Sequence, residues 1–220
     1  MQSGHPITAL RLVMASKLVA TLQAYPAYES KTGARMRFRL ILAALPLLGS
    51  ATLALAEVNE ELDETYYEVE HEEGDSLSEA ITAASPIEGG YHGYTEWHVK
   101  WRYTWSYDSE SCWITDVTVD FSATLTLPEL YTDDPRAERR FDRYMTALRE
   151  HEEGHVDNGR QAAEEVEEGI LNMDARPNCK ALERDANALG LMIVKRGNRR
   201  DKEYDRATDH GRTQGARVND

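Results

Sequence analysis

Two long alternating runs joined by a short turn constrain the fold of this chain more than any other feature. Trp97, Val99, Trp101, Tyr103 and Trp105 share one parity, and His98, Lys100, Arg102 and Thr104 the other. After a turn at 107–111, Val117, Val119, Phe121, Ala123, Leu125 and Leu127 alternate with Thr118, Asp120, Ser122, Thr124 and Thr126, and Pro128 closes the run. Successive side chains of a strand point to opposite faces, so each run reads as a half-buried strand. The pair makes a twisted antiparallel hairpin with one apolar face and one wet face. An apolar face this rich in aromatic residues has to be covered, and burial preference makes the Trp row core rather than a platform for a ligand.

The cover has to come from helices. Asp134-Pro135 supplies an N-cap acid and a proline at the first helical position. From there a helix is predicted to about residue 173, with an apolar stripe of Phe141, Tyr144, Leu148, Val166 and Ile170. Pro177 and Asn178 break it, and a last helix is predicted over 179–195 with Leu182, Leu189 and Ile193 inward. Composition alone makes the polar tail from Arg196 disordered. Upstream, Ser76-Leu77-Ser78-Glu79 is a capping box that opens a short helix over 77–84, ended by Ser85-Pro86. Residues 66–70 read as a short strand, and the acidic residues 57–64 as a frayed end. The expected fold is therefore α+β: a long antiparallel hairpin, with a short extra strand, packed on one long helix and a C-terminal helix.

The first 56 residues stand apart. Arg37 and Arg39 precede an apolar run from Leu40, and Ala54-Leu55-Ala56 fits the small-x-small rule for signal peptidase. Residues 36–56 are thus a predicted signal peptide, residues 1–35 an extension with Met36 as the natural start, and residues 57–220 a single domain of a size to hold one modest core. The leader carries six basic residues and one acid, so its removal moves the formal charge from −14 to −19. A chain this acidic repels nucleic acid and anionic membranes. No stable membrane insertion is expected once the leader is cut, and the location is periplasmic or extracellular. In an oxidising compartment Cys112 and Cys179 are expected to form one disulfide.

The chemistry rests on His151-Glu152-Glu153-Gly154-His155. Positions i and i+4 of a helix point the same way, so two imidazoles reach one Zn²⁺. At about 100° per residue both histidines fall in the apolar stripe, which turns them inward. Glu152 sits beside them as a candidate general base for a zinc-activated water. Gly154 inside the helix costs about 1 kcal/mol against Ala, which implies close approach by substrate or another element; Gly159 suggests similar packing. A catalytic zinc needs a third protein ligand. Gln161 occupies the position where metzincins carry a third histidine. Glu183 on the last helix and His210 in the tail remain as candidates.

The segment 65–216 resembles the bacterial family of predicted secreted zinc-dependent proteases. The resemblance rests on Tyr66-Tyr67-x-Val69, Gly93-Tyr94-Thr95-x-Trp97-x-Val99-x-Trp101, Cys112, Leu127-Pro128, His151 to His155, Cys179, and Tyr204-Asp205-x-x-Thr208-x-His210-Gly211-x-Thr213-Gln214-Gly215. It implies a peptidase whose tail folds back to the site. On it rest His210 as third ligand beside His151 and His155, Tyr204 as a donor to the oxyanion of a tetrahedral intermediate, and Asp205 as a group that orients a ligand histidine. His92 and His98 are expected in a loop and on the wet face.

Three readings follow. The first is an exported zinc peptidase with Glu152 as base and a peptide or protein substrate, whose extended chain would add to the hairpin's edge. The second is a non-catalytic, zinc-stabilised binding module of the envelope. The third is an inert domain whose histidines are core. The oligomeric state is left open.

Overall fold

The computed structural model describes residues 56–218 and two short pairs near the N-terminus. The expected extension at 1–35 and leader at 36–56 lie outside the described residues, apart from those pairs and Ala56. Five strands form one sheet: β1 (Gln2–Ser3), β2 (Ile7–Thr8), β3 (Ala56–Glu70), β4 (Tyr94–Tyr107) and β5 (Cys112–Tyr131). Its order is β1-β4-β5-β3, with β2 also pairing β4. The hairpin β4–β5 is antiparallel as expected, and its parity holds. Trp97, Trp101, Tyr103 and Trp105 are buried on the face that also carries Val117, Val119, Phe121, Ala123, Leu125 and Leu127. A bulge at Thr104/Trp105 puts Trp105 opposite Ile114 and keeps the aromatic row on one face past the shift.

Two strand expectations are corrected. Residues 57–64 are not frayed: all of β3 pairs in parallel with β5, Ala56 opposite Val117 through Glu70 opposite Tyr131. On the side of β3 nearest α2, the exposed Glu60 and Glu64 form ion pairs with Arg160 and Arg149 of that helix. Charge pairing there takes the place of apolar burial. Pro128 does not close β5, which continues to Tyr131. The first residue of β4 pairs with Thr126, so at Pro128 β4 has ended and β5 keeps β3 alone as its neighbour, a position where a missing N–H is tolerated.

The helices are α1 (Leu77–Ala84), α2 (Pro135–Leu171) and α3 (Cys179–Thr208). The caps at Ser76 and Asp134 fall where the sequence puts them, and Asn178, read only as a break, proves to be the N-cap of α3. Ser76 accepts from the Glu79 amide at 3.2 Å, Asp134 from the Arg136 amide at 2.8 Å, and Asn178 from the Ala181 amide at 2.9 Å. In α2 the stripe Phe141, Tyr144, Leu148, Val166 and Ile170 is buried together with His151 and His155. The end expected for α3 near residue 195 is wrong by more than three turns, because its polar second half lies against α2. Gly159 and Gly190 let the helices close on the sheet: a Cβ at Gly159 would stand 2.7 Å from the Trp97 ring, and one at Gly190 2.7 Å from Trp101. Cys112 and Cys179 form the expected disulfide, tying the start of β5 to the start of α3. Among the described residues no helix is long and apolar enough to cross a membrane.

Candidate metal centre

The loop at 172–178 returns the chain so that α3 runs antiparallel to α2. As α2 rises from His151 to His155, α3 descends from Asp205 to Asp201, and both pairs have the i,i+4 spacing that puts two side chains on one helix face. His151, His155 and Asp205 each offer an atom within 4.8 Å of the others, a group able to hold a metal ion. Asp205 Oδ1 lies 3.1 Å from His155 Nε2 and 3.4 Å from His151 Nε2.

The other nitrogen of each ring is engaged. His155 Nδ1 is 3.1 Å from Asp201 Oδ1, and His151 Nδ1 is 3.0 Å from Gln214 Oε1. Asp201 is itself fixed by Trp97 Nε1, which donates to Oδ2 at 2.6 Å, and by Asn158 Nδ2, which donates to Oδ1 at 2.9 Å. With each Nδ1–H donated to these acceptors, both Nε2 atoms present lone pairs. Three acceptors then face one another across 3.1 and 3.4 Å, a gathering that only protons or a cation make favourable. Burial pushes the His151 pKa down, against the Gln214 hydrogen bond. Burial also works against a charged His155, but the Asp201 hydrogen bond and the charges of Asp205 and Glu152 outweigh it, and its pKa rises.

Glu152 is 4 % exposed, as buried as His151. It packs against the entry to β4, where a Cβ at Gly93 would stand 2.5 Å from its Oε1, and Thr95 Oγ1 lies 2.8 Å from its Oε2. Burial, opposed by the Thr95 hydrogen bond, lifts its carboxyl pKa to about 7. A carboxyl poised there exchanges a proton with little bias in either direction near neutral pH. The Tyr204 ring stacks on His151, with centroids 5.0 Å apart at 13°, and meets His155 edge-on at 5.1 Å. Gly154 makes this possible, since a Cβ there would strike the Tyr204 ring and hydroxyl. The glycine in the motif thus admits another element, α3.

The tail folds back as the resemblance implies, but the third group beside the histidines is Asp205. His210 stands at the rim, its side chain 47 % exposed, with Nδ1 3.5 Å from Asp205 Oδ1 and its ring against Tyr91. Glu183 is remote: 22 residues before Asp205 in α3, it lies about 33 Å away at 1.5 Å per residue. His92 bridges Tyr144 and Thr82, and His98 faces Glu96. Asp201 and Thr95 carry no role in the sequence reading. For Asp201 the sequence signal is its i,i+4 spacing from Asp205, which the polar composition beyond Arg196 conceals.

Among curated proteins and among solved structures, none matches the chain significantly. A family model matches residues 64–211, from the middle of β3 past His210, and takes in the histidine pair and both aspartates. Covering about two thirds of the sequence, it places this chain in the bacterial family described as "Bacterial protein of unknown function (DUF922)".

Proposed function

We propose that this chain is a zinc-dependent peptidase in which His151, His155 and Asp205 hold the ion and Glu152 is the general base. The observation that carries the proposal is the convergence of both Nε2 atoms on one carboxylate oxygen. A tetrahedral ion with donors at about 2.0–2.1 Å sets those donors about 3.3–3.4 Å apart. The two contacts made by Asp205 Oδ1, 3.1 and 3.4 Å, fit that edge. Two imidazoles and a carboxylate are a donor set suited to zinc. Bound zinc supplies a Lewis acid and acidifies water.

The remaining chemistry belongs to the chain. Asp201 and Gln214 hold the two rings with Nε2 toward the ion. Glu152, one residue after His151 and drawn to neutral pH by burial, accepts the proton of the attacking water and returns it to the leaving amine. Tyr204 accepts a hydrogen bond from Gln214 Nε2 at 2.9 Å, which leaves its own proton free for the developing oxyanion. The disulfide supports work outside the cytoplasm, in the periplasm or beyond. The excess of acids argues against nucleic acid as a partner.

A second reading keeps the metal and removes the chemistry. His210 Nδ1, at 3.5 Å from Asp205 Oδ1, also lies near the tetrahedral edge. If it binds, four protein donors close the sphere and the domain is a zinc-stabilised binding module. Zinc content and peptide hydrolysis of wild type, Glu152→Gln, Asp205→Asn and His210→Ala decide between them. The peptidase reading expects one zinc per chain, kept by Glu152→Gln without hydrolysis, lost by Asp205→Asn and kept by His210→Ala. Absence of zinc from the wild type refutes both readings, and full activity of Glu152→Gln refutes the mechanism.

A further inference from the structure

The last segment before the described C-terminus caps α3 through the left-handed Asp209 and buries Ala216, and it also reaches the histidines. After Thr208 three consecutive residues, Asp209, His210 and Gly211, take left-handed backbone angles, with φ of 53°, 50° and 78°. Two of them are not glycine, so the reversal is strained and is held by its surroundings. Thr213 Oγ1 donates to the Thr208 carbonyl at 3.0 Å, and the Gln214 and Ala216 amides donate to the Gly211 carbonyl at 2.9 and 3.1 Å. Gly211 lies so close to α2 that a Cβ would stand 2.9 Å from His151 Cγ.

The result of this strained path is the placement of one amide. Gln214 Oε1 is 3.0 Å from His151 Nδ1, and Gln214 Nε2 is 2.9 Å from the Tyr204 hydroxyl. Both residues it touches also touch each other, ring on ring. A primary amide is suited to this task, because it accepts at one end and donates at the other.

We infer that Gln214 is the positioning residue of the centre: it fixes His151 as the Nδ1–H tautomer and turns the Tyr204 hydroxyl proton outward. The metal half of this inference rests on the proposed zinc site; the tautomer half does not. By accepting Nδ1–H, Oε1 keeps the Nε2 lone pair of His151 facing Asp205 and the ion. By donating to Tyr204, Nε2 fills one acceptor position of the phenol oxygen and turns its proton toward a substrate oxygen. His155 receives the same service from Asp201, so each ligand ring is oriented by a different segment: His155 by the body of α3, His151 by the folded-back tail.

The test is ¹⁵N-edited NMR of the histidine rings at pH 8, in metal-free protein, with zinc affinity measured in parallel by chelator competition. The variants are Gln214→Leu, which removes both contacts, and Gln214→Glu, which restores the acceptor for His151. His151 is expected as Nδ1–H in wild type and Gln214→Glu, and as a tautomer mixture in Gln214→Leu. Zinc affinity is expected to fall about 10–100-fold in Gln214→Leu and to return most of the way in Gln214→Glu. An Nε2–H tautomer in wild type, the state that a flipped amide would favour, overturns the inference. Unchanged zinc affinity in Gln214→Leu, with the wild type binding zinc, overturns it while leaving the metal site intact. A wild type that binds no zinc refutes the metal site and the metal half of the inference; the tautomer still decides the rest. If Gln214→Leu does not fold, the wild-type tautomer and Gln214→Glu give the decision.

Discussion

Glu152→Gln offers a measurement on the folded protein that needs no substrate. Its carboxyl moves from an ordinary value of 4.5 to about 7 because burial disfavours the anion. The sign follows from proton binding in the two states. Below pH 4.5 folded and unfolded chains both hold the proton, and Glu152 contributes no pH dependence. Between pH 4.5 and 7 the unfolded chain releases it while the folded chain keeps it, so folding stability falls as pH rises. Above pH 7 both are ionised and the loss is complete. At 1.36 kcal/mol per pH unit, a rise from 4.5 to about 7 amounts to about 3 kcal/mol. Glutamine keeps the shape and has no proton to lose. Urea unfolding of metal-free wild type and Glu152→Gln at pH values from 4.5 to 8 reads the effect, since titrating groups not coupled to Glu152 cancel in the difference; His155, coupled to it by charge, does not cancel, and its part is separated by repeating the pair in a His155→Gln background. The difference is expected to grow by about 3 kcal/mol in favour of the variant across that window. Zinc, a cation beside the carboxylate, is expected to shrink it. A flat difference curve in metal-free protein refutes the claim that burial holds Glu152 near neutrality.

Other outcomes are expected from the same geometry. Asp201→Asn leaves every donor of the proposed site in place but weakens the hold on His155, so zinc affinity is expected to drop about 10–100-fold by chelator competition. Asp205→Asn should cost more than that. Gly159→Ala and Gly190→Ala drive a methyl into the Trp97 and Trp101 rings, and each should destabilise by about 1–3 kcal/mol in urea unfolding. Gly169→Ala meets only flexible side-chain ends at 3.3 Å and should gain up to about 1 kcal/mol from helix propensity. Replacing Cys112 and Cys179 by serine opens a loop of sequence separation 67 and should lower stability by about 2–4 kcal/mol, read from the urea midpoint.

Where a segment's own side chains decide its partner, the sequence is enough. The Trp and Val parities of β4 and β5 determine which face is buried, because a strand has only two faces. Ser76 and Asp134 mark helix starts through bonds to amides two or three residues away. The spacing of His151 and His155 puts them together on the inward stripe of α2 without knowledge of anything else in the molecule. What the tertiary structure decides are the places where the partner is distant and the local pattern is silent. In β3, Glu60 and Glu64 read as solvated acids until α2 brings Arg160 and Arg149 over them. The second half of α3 lacks an apolar stripe because its inward face meets α2 through Gly197 and through polar groups that pair with His151, His155 and Glu165. Its Asp201 and Asp205 therefore look like surface until the antiparallel packing of α2 and α3 sets them against the motif. Asp205 rather than His210 closes on both Nε2 atoms for the same reason: a rigid helix carries its i and i+4 carboxylates to a fixed depth between the helices, whereas the left-handed turn after Thr208 leaves His210 at the rim.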